Sequence, residues 1–152
     1  MISLAFAVKI GIIFSGIFLW VGMLTGVWKY YQIRHSQQSR AHYYVDIAHR
    51  SSLLYAPASL ILAVLSYFSA WSAWTNLLCV LLNIFFFSFS ILSYVIHGFL
   101  QDTRNQFQQP HHLGAWHIPK MMLRSAMIVL VMAEVGATLV LLLGVLRTFM
   151  WL

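Results

Sequence analysis

Residues 125–146 read SAMIVLVMAEVGATLVLLLGVL, an apolar run holding one carboxylate and no basic residue. About 20 such residues are what a helix needs to cross the hydrocarbon core of a bilayer. Transmembrane strands would alternate apolar with polar residues, and runs such as IVLVM here and NIFFF further up do not. Working outward, three more uncharged apolar runs of similar length lie at residues 10–28, 53–71 and 77–100. The expected fold is therefore all-α, an integral membrane four-helix bundle forming a single domain over residues 1–152.

Composition agrees. The chain is 61% hydrophobic and 8% charged, with a mean hydropathy of +0.81. A soluble domain of this length needs far more polar surface. The lone Cys79 sits inside an apolar run and excludes an intramolecular disulfide. The first run is too long for the apolar core of a signal peptide. Bulky Trp28, Lys29, Tyr30 and Tyr31 follow it in place of a small-residue cleavage site, so it is expected to be retained as a span.

The formal net charge is +6, yet seven of the nine Lys and Arg residues fall in two connecting segments. Lys29, Arg34, Arg40 and Arg50 flank or fill the first connection, and Arg104, Lys120 and Arg124 the third. No continuous soluble basic face is left for nucleic acid, so none is expected as a partner. The positive-inside rule puts connections one and three in the cytoplasm and both termini outside, as in a bacterial-type inner membrane. Trp28 and Trp116 would then mark one aromatic belt, and Trp71, Trp74 and Trp151 the other. Spans two and three should form a tight hairpin turning at residues 72–76. Helix two is expected to start near Ser39 as N-cap and to be kinked at Pro57. The third connection, polar and broken by Pro110, Gly114 and Pro119, reads as an ordered cap or re-entrant loop, with Pro119 opening helix four.

All seven histidines fall on the cytoplasmic side of this arrangement. His35, His42 and His49 recur every seven residues and would share a helical face, with Asp46 beside them. Imidazole with a carboxylate can hold non-haem iron, which makes His42 and Asp46 an alternative metal face. His111, His112 and His117 match no metal motif and read as ordinary loop residues. His49 and His97 lie at the membrane boundary, where a single imidazole in an apolar pocket can ligate a porphyrin. Tyr94 precedes His97 by three residues in SYVIHG, and Tyr55 follows His49 by six; both would line the same zone.

Glu134 stands halfway along the fourth run. A carboxylate at bilayer depth is costly, so it is expected to be carried as the neutral acid, facing the bundle or a partner helix. It lies about 18 Å beyond Met122 at 1.5 Å per residue, too deep for a direct bond to His97. Gly11, Gly16, Gly22 and Gly26, with Gly136, Ala137 and Gly144, allow close helix approach and point to a homo-oligomer.

The stretch AHRSSLLYAPASLILAVLS at 48–66, with SYVIHG and Asn105-Gln106-Phe107, resembles the styrene oxide isomerase family over about half the chain. Those small four-helix membrane enzymes bind haem b through a His that follows an Ala at the start of helix two. They use ferric iron as a Lewis acid to open an epoxide. The resemblance implies haem b on His49, with Tyr94 facing a small lipophilic substrate. Tyr55 stands where that family has Asn and Phe86 where it has Asp, and the charge pattern implies the opposite orientation. The function expected is a haem-binding membrane protein with His49 as metal ligand, His97 in the cofactor pocket, and Tyr55 and Tyr94 as catalytic candidates. The alternatives are a non-catalytic subunit of a larger membrane assembly, a non-haem metal-binding membrane protein using the His42 and Asp46 face, and, as a third reading, a proton-coupled carrier built on Glu134.

Overall fold

The computed structural model describes residues 4–105, 112–114, 116–117 and 119–149. Gln106, Phe107, Pro110, His111 and Trp151 lie outside the described residues. Four helices account for most of the rest: α1 (Phe6–His35), α2 (Tyr43–Phe68), α3 (Ala73–Leu100) and α4 (Lys120–Thr148). Between α3 and α4, β1 (His112–Leu113) and β2 (Trp116–His117) pair antiparallel, His112 opposite His117. Each helix is long and apolar enough to cross a membrane, the best windows having mean hydropathies from 1.6 to 2.5. Large apolar side chains such as Ile13, Trp20, Leu54, Ile61, Phe85 and Met132 face outward, the surface a bilayer would solvate.

The helices run past the apolar runs at several ends. Lys29 and Arg34 ride on α1, Arg50 on α2, and Lys120 and Arg124 on α4; of the seven basic residues only Arg40 and Arg104 sit in loops. Local capping explains the boundaries. His35 donates from Nδ1 to Tyr31 O at 2.9 Å, closing α1. Ser39 takes a left-handed φ of 50° in the reversal that follows, so it cannot act as the N-cap expected of it. His42 caps α2 instead, its Nδ1 accepting from Tyr44 N at 3.4 Å while Gln32 Oε1 accepts from His42 N at 2.8 Å. Pro57 lies inside α2. The α2–α3 turn is 69–72, three to four residues earlier than the 72–76 expected, because Ser72 Oγ accepts from Thr75 N at 3.1 Å and starts α3 there. Pro119 is the N-cap of α4, immediately before its first residue.

Helices α1 and α2 pack antiparallel at close range. A Cβ on Gly11 would meet Ala63 Cβ at 2.7 Å, one on Gly22 would meet Leu53 Cδ2 at 2.6 Å, and one on Gly26 would meet His49 Cε1 at 2.8 Å. These glycines set the helix separation, since lipid offers no hydrophobic drive between spans. Gly16 and Gly136 are different: among the described residues nothing lies within 4 Å of where their Cβ would be.

Helix α3 is the most buried of the four. Its Val80, Ile84, Phe87 and Ile91 form the core with Phe18, Ala56, Leu62 and Leu141. Most buried polar groups are satisfied locally, as a medium without water requires, the exceptions among the described residues being Asn76 Oδ1 and Glu134 Oε1. Thr25, Ser52, Ser59 and Ser66 return their hydroxyls to carbonyls one turn back, and Asn83 donates to Cys79 O at 2.9 Å while accepting from Thr138 at 3.1 Å. At the far end the α2–α3 turn is tied to α4: Ala70 N donates to Gly144 O at 3.0 Å and Trp71 Nε1 to Val140 O at 2.7 Å.

Candidate functional site

The charged end of the bundle gathers most of the chemistry-bearing residues. His35, His42 and His49 do not share a helical face: the reversal at Ser39 puts His35 at the end of α1, His42 at the cap of α2 and His49 within it. His49 turns towards α1, where its Nδ1 lies 2.8 Å from Gly22 O and its ring against Gly26. A carbonyl only accepts, so Nδ1 is the donor, and in the neutral imidazole Nε2 then keeps its lone pair. Ligating histidines are commonly oriented by a bond of this kind.

Asp46 does not join the histidines. Its Oδ1 pairs with Lys29 Nζ at 2.6 Å and its Oδ2 with Arg50 at 2.6 Å. Both oxygens are engaged, and His42 Nδ1 is occupied as a cap, so His42 and Asp46 offer no ready metal face. Among the described residues no group of three or more His, Cys, Asp or Glu is arranged to hold a metal ion. Haem ligation by a lone imidazole makes no such demand.

His97 is buried near the end of α3 and donates from Nδ1 to Asp102 Oδ1 at 2.8 Å. The other oxygen of Asp102 accepts from Gly114 N at 2.7 Å, which ties the β-hairpin to α3. Burial pushes the Asp102 carboxyl up, but the bonds from Gly114 and His97, with the His97 charge, together hold it below the ordinary carboxylate value. Tyr44 bridges the aromatic groups, its ring 5.0 Å from that of His97 and 6.1 Å from that of Tyr94. The His42 imidazole is pushed below its ordinary value, first by burial and then by the nearby Arg104 and His97 charges, with Asp102 opposing.

Tyr55 turns away from His49. Six residues along a helix rotate the side chain by about 120° from the starting face. Its ring stacks on Phe87 at 4.3 Å and its hydroxyl bonds Ser90. The candidates thus fall into two sets of contacts, His49 against α1 and the Tyr55, Tyr94 and His97 side chains against or on α3.

Glu134 makes no described contact with His49 but lies within electrostatic reach of Tyr55 and Tyr94. Its Oε1 is buried and has no hydrogen-bond partner among the described residues. The side chain lines a shallow groove of about 440 Å³ with Asn83, Phe87 and Thr138. Asn83 and Asn76, both buried, escaped the sequence reading, although the Asn inside LLNIFFF, Asn83, is signal enough for a satisfied polar group at depth. The cavity beside the first connection, about 880 Å³ and rimmed by Lys29, Arg40 and Arg104, also escaped it, because it is made by three segments at once.

Comparison with protein-family models, curated proteins and solved structures gives no match for this chain.

Proposed function

We propose that this multi-pass membrane protein binds haem b, which His49 would hold through Nε2. The observation that carries the reading is the 2.8 Å bond from His49 Nδ1 to Gly22 O, which leaves Nε2 bare and the ring fixed against α1. Bound haem would supply an iron with an open position able to act as a Lewis acid on a substrate oxygen. Taken with the resemblance, the substrate class is a small lipophilic epoxide-like molecule that reaches the site from the bilayer, with Tyr94 facing it. Tyr55, stacked on Phe87 and bonded to Ser90, is turned away from His49 and does not share that role. The basic residues at one end of the bundle favour a cytoplasmic location for connections one and three, in a bacterial-type inner membrane.

The test is the absorption spectrum of the detergent-purified protein, oxidised and reduced, after expression with ample haem. A Soret band near one haem per chain, lost in His49→Ala and kept in His35→Ala, is the expected result. No Soret band, or a band indifferent to His49, overturns the reading.

A second reading is favoured by one observation, the unpartnered Oε1 of Glu134 in an outward groove. On that view the protein is a subunit, as a homo-oligomer or in a larger assembly, and a neighbouring helix supplies the missing donor. Gly16 and Gly136, open on the surface, would allow the approach. A single-chain particle under mild detergent would count against it.

A further inference from the structure

The chain has only three acidic side chains, and their positions leave the basic end of the bundle with an unmet charge. Asp46 is shared by Lys29 and Arg50, Asp102 is taken by His97 and Gly114, and Glu134 is in the middle of α4. No side-chain carboxylate remains for Arg40 or Arg104. These two line the same cavity of about 880 Å³, together with Lys29, His35, His42 and Trp28. The cavity lies between the last turns of α1 and the start of α2, just beyond the apolar spans, where lipid phosphates sit. Its lining is mixed: the cations and imidazoles, the rings of Trp28 and Tyr31, and Asp46, whose two oxygens are already held by Lys29 and Arg50.

We propose that this cavity binds a phosphate group, that of an anionic phospholipid whose headgroup enters between Arg40 and Arg104. Guanidinium groups are suited to this because their planar fork offers paired donors to phosphate oxygens. Lys29, which shares Asp46 with Arg50, adds to the cationic lining, and Trp28 gives the glycerol region an apolar surface. The site is distinct from His49, and the proposal does not depend on haem.

The experiment is thermal unfolding of the full chain in nanodiscs of phosphatidylcholine, with and without phosphatidylglycerol. The wild type is compared with Arg40→Gln/Arg104→Gln and with a control of equal charge loss outside the cavity, Arg34→Gln/Arg124→Gln. Phosphatidylglycerol should raise the unfolding midpoint of the wild type and the control, and the cavity variant should lose roughly 4–8 °C of that rise, the scale of two phosphate contacts in a chain of this size. Glycerol 3-phosphate added to phosphatidylcholine discs separates the sources. An Arg40- and Arg104-dependent shift with it as well keeps the phosphate site and makes a water-soluble phosphate its ligand. Equal losses in both double variants would show diffuse surface attraction and overturn the proposal. The wild type decides even if the cavity variant does not fold: no shift with either phosphate overturns it outright.

Discussion

His49 Nδ1 and Gly22 O, on neighbouring antiparallel helices, are joined by a 2.8 Å hydrogen bond that exists only because Gly26, one turn further along α1, has no side chain. A Cβ there would lie 2.8 Å from His49 Cε1 and 3.0 Å from Nδ1. Gly26→Ala should therefore displace the ring and cost about 1–3 kcal/mol from overpacking. In haem-supplied protein it should also lower the Soret absorbance per chain. A variant with wild-type stability and haem content would show that the ring has room to move.

Gly144 offers the contrasting test with Gly136. A Cβ on Gly144 would run into Ser69 Oγ and would lie 2.5 Å from Trp71 Cδ1. Gly144→Ala should break the tie between the α2–α3 turn and α4 and lower the unfolding midpoint in detergent. Gly136→Ala, with open space around it, should change stability by no more than about 1 kcal/mol, the difference in helix propensity.

The Asp102 carboxyl joins α3 to the β-hairpin through His97 and Gly114. Asp102→Asn should cost about 1–3 kcal/mol, because His97 is buried and loses its charged acceptor. The folded carboxyl titrates below its ordinary value of 3.8, so the unfolded chain binds the proton first. This contribution is complete above the unfolded value and is lost as pH falls through the folded one. Unfolding followed by tryptophan fluorescence, with and without Asp102→Asn, should show the acid-sensitive component disappear.

His42 gives a second acid response in a milder window. Its folded value lies below the ordinary 6.5, so below about that pH the unfolded chain takes up more protons and stability falls. The chemistry is direct, since a proton on Nδ1 removes the acceptor that caps Tyr44 N. His42→Asn keeps a capping oxygen and does not titrate in this range. It should flatten the pH dependence just below 6.5 while leaving stability at pH 8 close to wild type; an unchanged pH profile would assign the response elsewhere.

Glu134 should react with a membrane-soluble carbodiimide, which requires a neutral carboxyl reachable from lipid. One adduct on α4, found by mass spectrometry and absent in Glu134→Gln, is the expected outcome. An unreactive protein would mean that the groove is covered by a partner helix, in favour of the subunit reading.

The helical spans were legible in the sequence because bilayer thickness imposes one length on every span, and four uninterrupted runs met it. The turns were less so. Ser39 looked like a cap from its residue type, but Gln32 on α1 reaches across to His42 N, a contact between residues ten apart that no local pattern announces. The heptad of histidines misled for the same reason: spacing implies a shared face only while the helix continues. Glu134 was conspicuous as a lone acid in an apolar run, whereas the groove it lines depends on how α3 and α4 meet. His49 was singled out by its place at the membrane boundary; the carbonyl that orients it belongs to another helix.

The ties between the α2–α3 turn and α4 also bear on how the chain is made. Synthesis delivers the turn long before Val140 and Gly144 exist. Until then Ala70 N–H and the Trp71 indole N–H have none of their final acceptors. The first three helices can insert, but their far end stays unlatched, and the last helix both completes the bundle and closes it. A ribosome stalled within α4 would leave the α2–α3 turn with two N–H donors still seeking their partners.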